Sequence, residues 1–181
     1  MTRATTRRSP WVYVIGFGLV VALGYVLVDV SKAMRAEKKQ VSSYVAYNYN
    51  AVPIDSIVIN GEGGILNVSA YGGGGGEVCC VILPSYWRPG LTVRIKWQSG
   101  GHWVRDASGQ IMLSNGEQQF VEGTWKERTV DVPPYVGGEG PEMGRFQIYF
   151  LPNDEVAVLV STSYPGSPGN PHPYPKDPRT N

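Results

Sequence analysis

The sequence predicts a mainly β protein, an antiparallel sandwich or partly open barrel, preceded by one N-terminal transmembrane helix. Three observations predict it. An uncharged apolar run fills Trp11 to Val28. Short segments of alternating hydrophobicity recur through the rest of the chain. Turn residues separate them, with 23 glycines and 14 prolines in 181 residues, while a hydrophobic content of 42% is too high for a disordered chain.

Residues 1–10 are a basic tail carrying Arg3, Arg7 and Arg8. Residues 11–28, as a helix rising about 1.5 Å per residue, nearly cross a hydrocarbon core. That run exceeds the roughly 7–15 residues of a signal-peptide core. The segment is therefore expected to remain as an anchor, although Ser31-Lys32-Ala33 has the small residues of a cleavage site. No cysteine follows the run to accept a lipid. Lys32, Arg35, Lys38 and Lys39 flank its far end, so charge alone leaves the orientation open. The shortness of the tail places the N-terminus inside and the larger domain outside. Residues 29–43, polar and basic without Gly or Pro, read as a stalk.

The β-domain is expected over residues 44–164. Leu91, Val93, Ile95 and Trp97 alternate with Thr92, Arg94, Lys96 and Gln98, giving one core face and one wet face. Val78 to Leu83 is apolar in both alternating sets and predicts a central strand covered on both sides. Further strands are expected at Tyr44–Tyr49, Ile54–Asn60, Ile65–Ala70, Trp103–Arg105, Gln110–Leu113, Trp125–Val132, Phe146–Leu151 and Glu155–Thr162. Pro152-Asn153-Asp154 has hairpin-turn chemistry. Residues 165–181 form a Pro-rich C-terminal tail that cannot donate a regular ladder, extended and either draped on the domain or loose.

Sixteen Lys and Arg against fifteen Asp and Glu leave a net charge of +1, so nucleic acid is not an expected partner. Gly72 to Gly76 is no phosphate cradle, because Glu77 and a strand follow where a Lys and a helix are required. It reads as a loop that takes positive φ or admits a neighbouring backbone. Cys79 and Cys80 are the two cysteines. Neighbours in a regular strand point to opposite faces, which favours two buried thiols, with a vicinal disulfide or a bond to another chain as alternatives. A thiol-redox enzyme would need an exposed thiolate of depressed pKa. In Trp87-Arg88-Pro89-Gly90, proline and glycine occupy the centre of a type II turn.

His102 and His172 are the two histidines, no Gly-x-Ser-x-Gly elbow exists, and Glu62, Glu77, Asp106, Glu117 and Glu122 are scattered among turns. No catalytic activity, metal, cofactor or small-molecule substrate is expected. Gly74, Glu77, Tyr86, Trp87, Arg88, His102 and Trp103 are the candidate partner contacts, because loop tips at the ends of a strand array commonly carry recognition.

The run GGGGGEVCCVILPSYWRPGLTVRIKW, with VPPY at 132–135, FLPNDEVAVLVS at 150–161 and the closing PYP at 173–175, resembles a bacterial envelope family first catalogued as a domain of unknown function. The resemblance spans about Tyr44 to Pro175. It implies a periplasmic immunity protein of the inner membrane that binds a phospholipase effector of the type VI secretion system. The lipidated cysteine of many relatives is missing, and the helix at Trp11 to Val28 would replace it. The competing expectation is a structural envelope module that docks a secretion component or a cell-wall ligand.

Overall fold

Period-two alternation decides which side chains meet in the middle of this protein. The computed structural model describes residues 23–31, 38–64, 67–74, 78–138 and 143–180. In chain order its strands are β1 (Lys39–Asn48), β2 (Ile54–Ile59), β3 (Glu62–Gly64), β4 (Val78–Pro84), β5 (Thr92–Ser99) and β6 (His102–Trp103). Then come β7 (Leu113–Ser114), β8 (Glu117–Gln118), β9 (Phe120–Val121), β10 (Thr124–Asp131), β11 (Arg145–Phe150) and β12 (Val156–Ser161). One sheet has the order β12-β11-β1-β4 and the other β10-β5-β2-β3. They share one core and do not close into a barrel.

Tyr44, Ala46, Phe146, Ile148 and Phe150 point inward from the first sheet, and Ile57, Ile59, Val93, Ile95 and Trp97 from the second. The rings of Trp97 and Phe150 meet with centroids 5.4 Å apart. Each such large side chain contributes about 1.5–3 kcal/mol relative to leaving it in water. On β5 the wet set, Thr92, Arg94 and Lys96, is exposed as the alternation requires. Pro152–Asp154 turns the chain between β11 and β12 with Asn153 at φ 62°, the left-handed conformation that asparagine tolerates.

Four expectations are corrected. Among the described residues β4 is an edge strand, and Cys79 and Ile82 are exposed, because β1 pairs with it on one side and no described strand of that sheet pairs on the other. Cys79 and Cys80 are bonded to each other, the alternative to two buried thiols. β1 pairs in parallel with β11, so the sandwich is not purely antiparallel. Such a pair needs a long crossover, and here the whole second sheet supplies it. Within the expected strand at Ile65–Ala70, the described residues 67–70 make only bridges at Val68, to Ile54 and Gly74.

β1 begins at Lys39, inside the stretch read as stalk. Residues 23–31 are helical. Most of the span Trp11 to Val28 lies outside the described residues, and among the described residues no helix is long and apolar enough to cross a membrane.

The tail is draped. Its residues run over the outer face of the first sheet, where Val45, Tyr47 and Tyr149 form a second apolar cluster. His172 stacks on Tyr149, Tyr174 meets Tyr47 edge-on, and the Tyr49 hydroxyl donates to the Pro173 carbonyl at 2.6 Å. Asn170 donates to Gln147 Oε1 and to the Ser163 carbonyl, both at 3.0 Å, so buried Gln147 is satisfied from above. Burial pushes the Tyr47 phenol up to about 12, with the neighbouring Tyr149 adding to the effect.

Candidate functional site

The chain makes one long excursion from the second sheet, between β5 and β10, and this excursion walls a cleft of about 700 Å³. Asp55 and Ser56 of β2, Gln98 of β5 and the stretch at Ser69 and Ala70 form the floor. His102, Trp103, Phe120 and Glu122 form the overhanging wall.

Residues 100–123 make a self-braced finger. Its stem is the β6–β9 ladder, which pairs His102 with Val121 and Trp103 with Phe120. Further out, Val104 N donates to Gln119 O at 2.9 Å and Met112 N to Val104 O at 2.8 Å. At the tip Asp106 Oδ1 accepts from Ser108 N, Ser108 Oγ and Gln110 N. These donors hold the Asp106 carboxyl below its ordinary value, the Ser108 hydroxyl having the largest effect. A second hairpin, β7–β8, turns on Asn115 and Gly116 at φ 54° and 84°, the paired positive values of a type I′ turn.

The finger is tied down at its root. Asp55 Oδ2 accepts from Gly101 N at 2.7 Å, and Gln98 Nε2 donates to Glu122 Oε2 at 2.7 Å and to Gly123 O at 3.1 Å. Two glycines make this approach possible. A Cβ on Gly123 would lie 2.6 Å from Ser99 O and 2.7 Å from Asp55 Oδ2, and one on Gly101 would lie 2.7 Å from Phe120 Cζ.

The side chains the root leaves open are aromatic and apolar. Trp103 and Phe120 meet edge to face with centroids 4.9 Å apart and planes at 62°, yet each keeps 42% of its surface exposed. Val121, Met112 and Leu113 extend the exposed apolar surface along the finger. His102 is exposed, with Nδ1 3.1 Å from Gly100 O. The two cleft carboxylates, Asp55 and Glu122, both accept hydrogen bonds that fix the finger. Among the described residues no group of three or more His, Cys, Asp or Glu is placed to hold a metal. The arrangement offers a rigid aromatic edge above a polar floor, suited to recognition.

The sequence-predicted contacts divide into two groups. His102 and Trp103 line the cleft, and Gly74 lies beside it, bridged to Val68, which bridges Ile54. Tyr86, Trp87 and Arg88 precede β5, whose eight residues span about 25 Å, so they occupy the opposite end of the sandwich. Trp87 is a staple there, its Nε1 donating to Val132 O at 2.7 Å. The turn that follows is type II as predicted, with Gly90 at φ 77° and Leu91 N donating to Arg88 O. Glu77 lies outside the described residues. Sequence reasoning missed Asp55, Gln98 and Phe120 at the cleft. The Asn115-Gly116 dipeptide and the glycines at 101 and 123 were the signals that a hairpin excursion closes on itself there.

A family model matches residues 47–158, well over half of the chain, and its description is a protein of unknown function, DUF3304. The chain belongs to the DUF3304 family. The matched residues run from the last two residues of β1 into β12, take in the whole second sheet and the whole finger, and stop short of the Pro-rich tail. No curated protein and no solved structure matches the chain.

Proposed function

We propose that this DUF3304 protein is a membrane-anchored, periplasm-facing immunity protein that binds and neutralises a phospholipase effector of a type VI secretion system without catalysis of its own. The observation that carries the binding half is the Trp103–Phe120 pair: two large rings held rigidly at a braced root and left half open to solvent. Rigid aromatic anchors beside a cleft are the side chains that dominate binding energy at protein interfaces. The partner class rests on the motif resemblance, which extends from the Gly-rich run through the closing PYP. The anchoring half rests on the uncharged run Trp11 to Val28, whose described end, residues 23–28, is helical and bears exposed Leu23, Tyr25, Val26, Leu27 and Val28. Occlusion is the mechanism: the finger covers the lipase's active site or its lipid-docking face.

The test is co-expression of the full chain with type VI lipase effectors of the same genome. One effector should co-purify and lose lipid hydrolysis. Absence of any complex at micromolar concentration, with the chain folded, overturns the proposal. Capture of a secretion component in place of a lipase would assign the chain to the structural envelope role.

A further inference from the structure

We infer that the end of the sandwich opposite the cleft, built from Lys39, Ile82, Tyr86, Arg88 and Val136, rests on the anionic surface of the bilayer that holds the chain's own apolar segment. The inference rests on the anchoring half of the proposed function and is independent of the partner's identity. Three observations place that end there.

The first is chain length. Ser31 closes the described helix and Lys38 opens the described β-domain, so seven peptide steps separate them. Fully extended, those steps reach about 24 Å. With the helical rise from Val28 to Ser31 and the last step to Lys39 added, Lys39 lies at most about 32 Å from a bilayer exit near Val28, and it is by this end that the chain enters the sandwich. Lys39 is the first residue of β1 and pairs with Pro84, the last of β4. Ser85 N then donates to Lys38 O at 2.6 Å, which fixes the loop carrying Tyr86, Trp87 and Arg88 at the same end.

The second is what that end exposes. Val41 and Ile82 face each other across β1 and β4, both well exposed, below the part of the sheet that the Pro-rich tail roofs. Val136 is 81% exposed, and Gly138 N donates to Ser85 O, so the 136–138 segment borders the Tyr86 loop. Gly137 lies so close to the Tyr86 ring that a Cβ would collide with it, which holds the half-exposed ring in one direction. Tyrosine with aliphatic neighbours is the composition that settles at the headgroup level.

The third is charge. Lys38, Lys39 and Arg88 are exposed at this end, while the approaching residues 29–37 are neutral overall, Lys32 and Arg35 being matched by Asp29 and Glu37. Asp131, opposite Thr92, stands on the outer face of the second sheet at the same end and leaves cations in the majority among the described residues there. Basic residues next to a membrane segment are drawn to anionic headgroups. The finger then points away from the bilayer, more than the length of β5 from it.

The full chain, reconstituted into vesicles of phosphatidylethanolamine and phosphatidylglycerol that contain an acceptor-labelled lipid, tests this. A small fluorescent unnatural residue is placed at Val136 or, at the finger tip, at Ala107. Transfer to lipid should be several-fold stronger from 136 than from 107. The combined substitution Lys39→Glu, Arg88→Glu and Ile82→Ser should reduce it at 136 alone. Equal transfer from both positions in chains that resist carbonate extraction overturns the inference and leaves the anchor standing. Chains that wash off in carbonate overturn both. Transfer from 136 to an acceptor-labelled second copy, with none to lipid, also overturns the inference and makes this end a contact between chains.

Discussion

The imidazole of His172 lies on the phenol ring of Tyr149, with centroids 3.9 Å apart and planes 28° from parallel. This contact fastens the Pro-rich tail to the outer face of the first sheet, and it titrates. Burial pushes His172 below its ordinary value of 6.5. With the tail detached the imidazole returns toward that value, so between the two values the detached state binds more protons and docking strengthens as pH rises. The contribution is complete above pH 6.5 and is lost as pH falls through the depressed value. Amide protection over residues 166–174, taken relative to the intrinsic exchange rate at each pH, should fall in acid before the sheets open. His172→Phe keeps a stacking ring and should abolish that fall; persistence in that variant would assign it to another group.

Asn48 couples the core to the floor of the cleft. Although fully buried, its Nδ2 donates to Val52 O and Ser69 O, and its Oδ1 accepts from Asn50 N. Asn48→Ala strands these backbone groups and should cost about 3 kcal/mol, since each unsatisfied buried group costs about 1–3 kcal/mol. Urea denaturation measures it. A loss no larger than that of an exposed-residue variant would mean that water replaces the amide.

Gly123 and Asp55 make opposite demands on the same space. Gly123→Ala drives a Cβ against Ser99 O and Asp55 Oδ2, a backbone collision that no side-chain rotation relieves, and should cost about 1–3 kcal/mol. Asp55→Ala removes the carboxylate that holds Gly101 N. Its effect should concentrate in the finger, with faster amide exchange at Gly101–Val104 and little change in β1 or β11. Uniform loosening of both sheets would show that the finger and the sandwich open as one unit.

Much of this fold was legible because it depends on local patterns. Leu91 to Gln98 announces which side of β5 is wet, and Pro89-Gly90 and Pro152-Asn153 announce their turns. The edge position of β4 was not legible. Its apolar run has the composition of a central strand, and what sits beside it depends on β1 pairing with β11, about a hundred residues away in sequence. The candidate site was half legible for the same reason. His102 and Trp103 follow a clear strand end, but Asp55 reaches the site through the β2–β5 pairing, and a carboxylate that caps a distant glycine has no local signature. Trp87 and Trp103 look equivalent in the sequence, and only their surroundings separate a staple from an open ring.

Those two tryptophans give the sharpest test of where the partner binds. Trp87 is partly buried and spends its N–H on Val132 O, so Trp87→Phe should cost about 1 kcal/mol of stability, the worth of one hydrogen bond, and leave partner affinity unchanged. Trp103 is exposed and packs edge-on against Phe120, so Trp103→Ala removes little from the folded state. At a binding hot spot the same truncation costs about 2 kcal/mol or more, roughly thirtyfold in Kd. Thermal unfolding and calorimetric titration of the two variants with the captured lipase should give opposite patterns: stability falls for Trp87→Phe and affinity falls for Trp103→Ala. If Trp87→Phe weakens the complex and Trp103→Ala does not, the partner sits at the Tyr86 end. That result would also displace the bilayer from the same surface.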